Sequence, residues 1–187
     1  MRSILALAAL PLLAASSAPE HRYVIDEGSS EVTAKVAFFG LASKTAGFPR
    51  MRGGITLAPA APDQIDLQVT LDARALTAPD SVTLERLRGP NFFDVARYPT
   101  IAFAGHEMKL KNAREAVVEG QVTARGATRP ARLMVTFDTP PASATGREPI
   151  ALTATTTIDR RAFGMTAYPL IVGRKVTIRI RARMVPG

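Results

Sequence analysis

Apolar and polar residues alternate along most of this chain. Val32, Ala34, Val36 and Phe38 are separated by Thr33, Lys35 and Ala37, and Ile65, Leu67, Val69 and Leu71 by Asp66, Gln68 and Thr70. A period of two puts each set on one face of an extended strand. The alternation returns in Val118 to Ala124, Leu133 to Phe137, Ile150 to Ile158 and Val176 to Met184, and more weakly in Met51 to Leu57 and Ile101 to Phe103. The pattern therefore predicts about eight strands. Turn chemistry separates them at Pro59 to Asp63, Lys111-Asn112, Gly126 to Pro130 and Pro140 to Gly146. No strand–helix–strand spacing occurs, and helical patterns are limited to Val82–Arg88 and Asp159–Phe163, so antiparallel order follows.

Antiparallel strands with one apolar face each close as a barrel or stack as a sandwich, and alternation alone leaves both open. A membrane-spanning barrel needs an apolar outer band and aromatic girdles. Here Arg179, Arg181 and Arg183 follow one another on one strand face, and the chain has no Trp, so a soluble barrel with its apolar face inward is expected. Ala34, Gly53, Gly120, Ala124, Ala154, Thr156 and Ala182 fall on the inward face and are small. Eight strands leave room for side chains or for one small ligand; the spacing does not choose between a filled and an open centre.

The connector Thr83 to Phe103 stands apart. Leu84 and Leu87 begin a short helix that Gly89-Pro90 must end, and Phe92, Phe93, Tyr98 and Phe103 make it the most aromatic stretch of the chain. So much ring surface packs on something: it either plugs the end of a β-structure or forms the lid of a cavity.

The series Leu84-x-x-Leu87-Arg88-x-x-x-Phe92-Phe93-Asp94-x-x-x-Tyr98-Pro99-x-Ile101-x-Phe103 resembles the hallmark of the YceI-like family, bacterial periplasmic proteins associated with binding isoprenoid lipids and quinones. The segments Gly120 to Pro130, Ile158 to Met165 and Val172 to Ile178 resemble it in the same order, from about Tyr23 to the C-terminus. The resemblance implies an all-β fold: a soluble, eight-stranded antiparallel lipocalin-like barrel with one or two short helices, enclosing an elongated apolar tail. Its lining would include Val36, Phe38, Ile55, Leu67 and Val69 from the first half of the chain. From the second half it would take Ile101, Phe103, Val122, Leu133, Val135, Leu152, Phe163 and Ile178, under a lid of Leu84, Leu87, Phe92 and Phe93. Where the family pattern often places a histidine this chain reads Phe38-Phe39, which leaves a more apolar wall.

Composition narrows the chemistry. Arg2, the apolar run Ile4 to Leu13 and the small residues Ala14 to Ala18 have the form of a secretory signal over residues 1–18, giving a barrel domain over 19–187 in the periplasm or secreted. With no cysteine there is no lipid-anchored cysteine at the cleavage site, no thiolate metal site and no thiol nucleophile. Histidines are confined to His21 and His106, and no G-x-S-x-G elbow occurs; neither a catalytic triad, a metal site nor a cofactor is expected. The net charge is +8, and 19 of the 24 basic residues are arginine. Basic residues are not interleaved with exposed aromatics as nucleic-acid binding requires, whereas an anionic membrane surface suits a secreted lipid carrier. Arg88, Arg160 and Arg161 flank the non-strand segments and are the expected head-group contacts. The leading expectation is non-catalytic binding, sequestration or transport of a polyprenyl lipid or quinone. The alternatives are a lipid-directed enzyme using Asp94, Asp159, Arg160 or His106, and a structural or stress-related interaction protein with a filled core.

Overall fold

The computed structural model describes residues 20–58, 61 and 63–187; the signal expected over residues 1–18 and part of the turn expected over Pro59 to Asp63 lie outside the described residues. Among the described residues ten strands form one antiparallel sheet: β1 (His21–Ile25), β2 (Glu31–Phe38), β3 (Ala42–Phe48), β4 (Met51–Leu57), β5 (Gln64–Asp72), β6 (Thr100–Leu110), β7 (Glu115–Ala124), β8 (Ala127–Phe137), β9 (Ile150–Asp159) and β10 (Val172–Pro186). The sheet order is β1-β4-β5-β6-β7-β8-β9-β10-β2-β3, and β1 also pairs with β10. The ring is therefore closed. β1 and β2 are two halves of one stave, as are β3 and β4, so ten segments make an eight-stave up-and-down barrel without a free long edge.

The first broken stave is interrupted by a 3-10 turn, Glu27–Ser29, capped by Asp26. The break is tied to β10: the Asp26 N–H donates to the Arg183 carbonyl at 2.9 Å, the Arg183 N–H to the Ser30 hydroxyl at 3.0 Å, and the Arg183 guanidinium to the Asp26 carboxylate at 2.9 Å. The second break falls at Pro49-Arg50, where proline has no N–H to continue a ladder. β1 and β3 lack the strong alternation that marks the other strands. β3 reads ASKTAGF, and only Ala46 and Phe48 in it are buried.

The turn expected over Gly126 to Pro130 is shorter than that. Arg125 and Gly126 alone, at φ +50° and +74°, make a two-residue hairpin turn, and Pro130 lies inside β8 opposite Gln121. β8 pairs with β9 only from Met134 to Phe137. The missing proline N–H thus falls on the side of β8 that has no strand neighbour at that height.

The connections divide between two ends. At one end lie the 111–114 turn and the 138–149 loop; at the other lie the β2–β3 tip, the 73–99 connector, the Arg125-Gly126 turn and the 160–171 segment. The first end is packed. Tyr23, Leu57, Ile65, Met108, Phe137, Ile150 and Met184 belong to one buried cluster there, and the Tyr23 hydroxyl accepts the Gly146 N–H at 3.2 Å. The other end is roofed by α1 (Ser81–Arg88), the one α-helix among the described residues.

Candidate ligand cavity

α1 sits on the barrel rim for reasons its sequence states. Asp80 caps it, accepting the Thr83 N–H at 2.7 Å, and accepts the Lys44 ammonium from β3 at 3.1 Å. The Arg88 guanidinium donates to the carbonyls of Arg74 and Leu76 at 3.0 and 3.4 Å. Thr77 and Gly47 exchange backbone hydrogen bonds of 2.9 and 3.0 Å, stitching the connector to the free edge of β3. Leu84 and Leu87 face the barrel while Val82 is exposed, and after Gly89 the chain drops Phe92 and Phe93 beneath the helix.

The Asp80 carboxyl is held down to about 2 from its ordinary 3.8, first by the Thr83 N–H, then by the Thr83 hydroxyl and by Lys44. Its folded value lies below its unfolded one, so its contribution is complete above pH 3.8 and is lost as the pH falls through about 2. We expect amide protection of α1 to drop over that window while β6 to β9 stay protected, once intrinsic exchange rates are corrected for. Equal protection of α1 at pH 5 and pH 2 would show that packing alone holds the roof.

Between roof and packed end lies a cavity of about 220 Å³, larger than the roughly 150 Å³ apolar hole that stays dry and admits benzene. Its wall is almost wholly hydrocarbon. Val36, Ile55, Leu67, Val69, Leu152 and Ile178 contribute to it, as do Ile101, Phe103, Val122, Leu133 and Val135, with Leu87, Phe92 and Phe93 from above. Several of these, Leu67, Val69, Ile101 and Ile178 among them, are only half-buried although they point inward. Their remaining accessible surface is cavity surface. Gly105 and Gly120 stand opposite each other on β6 and β7, and a Cβ on Gly120 would come within 2.6 Å of the Phe103 ring. That ring lies flat along the wall because both positions are glycine.

Two expected lining residues, Phe38 and Phe163, and one expected lid residue, Leu84, stand off the cavity wall. Phe38 has the inward parity of Val36 but sits at the β2–β3 tip, beyond the rim, where its ring meets Phe39 edge-on and the Lys44 ammonium at 5.6 Å. Leu84 packs with the cluster around Phe48 and Leu76. Phe163 is buried against Val122, Ala124 and Met165; the 3-10 turn Arg160–Phe163 that carries it fills the gap left where β8 and β9 part.

The arginines separate in the same way. Arg88 pins the helix and Arg161 is exposed. Arg160, 3% exposed, is the one guanidinium on the cavity wall among the described residues. It donates to the carbonyls of Gly173 and Val172 at 2.8 Å each and to that of Met165. Burial pushes its pKa down, yet a guanidinium stays charged at neutral pH. Asp159 caps the turn beside it and pairs with Arg174 at 2.6 Å. His106 is exposed on β6 and Asp94 lies in the connector, apart in the chain from the adjacent Asp159 and Arg160. Among the described residues no three His, Asp or Glu side chains converge as a metal site would need, and no helix is long and apolar enough to cross a membrane.

Sequence reasoning missed Met51, Met108 and Met165, which also touch the cavity. Met165 follows the turn-ending Gly164, at φ +75°, and the Phe163-Gly164-Met165 series was the available signal.

A closed eight-stave barrel with a packed floor, an apolar interior and a helical roof is a lipocalin-like barrel. The chain belongs to the YceI-like family, whose domain model matches residues 23–184. A UPF0312 protein of Pseudomonas putida strain GB-1 is 27% identical over 156 residues, 82% of this chain and 81% of that protein. Among solved structures, BcnA of Burkholderia cenocepacia superimposes with a TM-score of 0.75 at 20% identity, over 85% of this chain and 98% of that one. A polyisoprenoid binding domain from Saccharophagus degradans, implicated in plant cell wall breakdown, gives 0.68 at 14% identity, over 88% and 98%.

Proposed function

We propose that this barrel binds a single isoprenoid-type lipid, a polyprenyl lipid or a quinone, and sequesters or carries it through the periplasm without chemical change. The observation that carries the reading is the half-accessible inward row around an apolar cavity beneath a helical roof. Enclosing each methylene contributes roughly 0.8 kcal/mol, so a tail alone supplies affinity. The binding named for the Saccharophagus degradans domain supports the same ligand class. Arg160 is the head-group contact of choice, since its guanidinium reaches the cavity and three backbone carbonyls leave two of its five N–H groups free. Export by the residue 1–18 signal would put the protein where such lipids must cross water.

Protein purified from its own host is expected to release an isoprenoid lipid on organic extraction, matched by a mass increment in the native spectrum. A spectrum of the empty chain from lipid-replete cells would overturn the reading. Val122 gives a second test because it lines the cavity and is nonetheless buried. Val122→Trp is expected to lower lipid uptake by about tenfold with a smaller effect on melting, since the ring has space to enter. Unfolding without loss of affinity in the folded fraction would mean a packed centre.

A further inference from the structure

We propose that the roofed end of the barrel is a docking surface for an anionic phospholipid bilayer, with the β2–β3 tip and the 168–171 loop as its inserting rim. Large apolar side chains are exposed there and scarcely elsewhere. Leu41 is 102% exposed, Leu170 95% and Phe39 64%, joined by Val82 and Tyr168; among the described residues only Leu110 and Met134 are comparable away from this end. The two tips form one rim, because the Phe39 N–H donates to the Ile171 carbonyl at 2.8 Å and Phe38 pairs with Val172. Phe39 and Tyr168 both hold φ +52°, a left-handed conformation that is costly for an aromatic residue and is retained where a tip must present its side chain outward.

Charge selects the occupant. The connections at this end carry Arg74, Arg86, Arg88, Arg97, Arg125, Arg160 and Arg161 against Asp80, Glu85 and Asp94, while at the opposite end Lys111, Arg114 and Arg147 are matched by Asp63, Asp138 and Glu148. Lys44 lies 5.6 Å from the Phe38 ring centre and Arg86 5.8 Å from that of Tyr168, so cations and rings share the rim as they do in interfacial membrane anchors. A second copy of this chain would bring like charges face to face; an anionic lipid surface neutralises them. The rim also surrounds the cavity mouth, where Lys44, Thr45, Thr83 and Val172 meet the lining. Docking here would therefore open the container toward the bilayer that supplies or receives its lipid. That purpose rests on the ligand reading; the contact itself does not.

Flotation of the purified protein with vesicles of phosphatidylglycerol and phosphatidylcholine tests it, against vesicles of phosphatidylcholine alone. Wild type is expected to float with the anionic vesicles and to be released by added salt. Leu41→Glu combined with Leu170→Glu should reduce the bound fraction at least about tenfold, whereas Leu110→Glu at the far end should float as wild type. Both rim positions are exposed, and unchanged melting confirms that the double variant is folded. Equal flotation of the double variant, or equal flotation on neutral vesicles, overturns the proposal. So does a dimer in sedimentation velocity that the same double substitution dissolves, without flotation of the wild type. Extraction of the same samples separates the two readings: protein that floats but never carries lipid counts against the ligand, and loaded protein that does not float counts against the docking.

Discussion

Phe93→Ala is expected to release bound isoprenoid about a hundredfold faster, with only a small loss of stability in the empty protein. The ring meets Phe48 edge-on at 5.6 Å and lines the cavity, but it is half-buried without ligand. On the proposed function, a tail in the barrel would cover the rest of its surface. Truncating a buried ring costs about 3 kcal/mol, which corresponds to about a hundredfold when it falls on the complex. Phe163→Ala supplies the contrast. Its ring is 3% exposed and absent from the cavity wall, so the full cost falls on folding, and affinity in the folded fraction stays as it was. Stopped-flow release and thermal melting on both variants check the pair. If Phe93→Ala lowers melting as far as Phe163→Ala and leaves release unchanged, the connector is a plug and the roof does no sealing.

Arg160→Met is expected to lower stability by about 3 kcal/mol or more. It removes the donor from the carbonyls of Met165, Val172 and Gly173, which tie the 3-10 turn that closes the gap between β8 and β9 to the start of β10, and an acceptor buried without a donor costs about 1–3 kcal/mol. For a chain of this length the melting temperature should fall by about 6–12 °C. Arg160→Lys should rescue little, since one ammonium on a flexible stem cannot satisfy three diverging carbonyls as a planar fork does. Amide exchange should rise first in residues 164–172. A variant that melts as wild type while losing lipid affinity would mean that the guanidinium serves the head group and not the fold.

The wall was legible where period two was strong. Val69, Val122, Val135, Leu152 and Ile178 could be assigned inward because on a strand parity alone decides the face. Parity says nothing about height along the barrel axis, and this separates Phe38, past the rim, from Val36, within it. β3 escaped because it is an edge at the roofed end with little to bury, and Pro130 read as a turn because a proline on the unpaired side of a strand leaves no trace in composition. Arg160 was visible as a charge near an expected opening, but backbone carbonyls have no sequence signature, and its partners are all carbonyls. Phe39, Leu41 and Leu170 were least legible of all. An exposed leucine at a tip and a buried one in a core are the same letter, and only the closed ring of staves distinguishes them.

The packed floor, set by Tyr23 and its neighbours, makes the barrel a blind tube. A chain-like ligand of the proposed kind would enter it by one end and withdraw in reverse order, so the terminus that went in last would lead on the way out. Two such molecules cannot pass each other, and a newcomer cannot push the resident through. Exchange would then be a queue of one, whose departure rate would not depend on how many competitors wait outside, and whatever received the cargo would meet the same terminus of it every time.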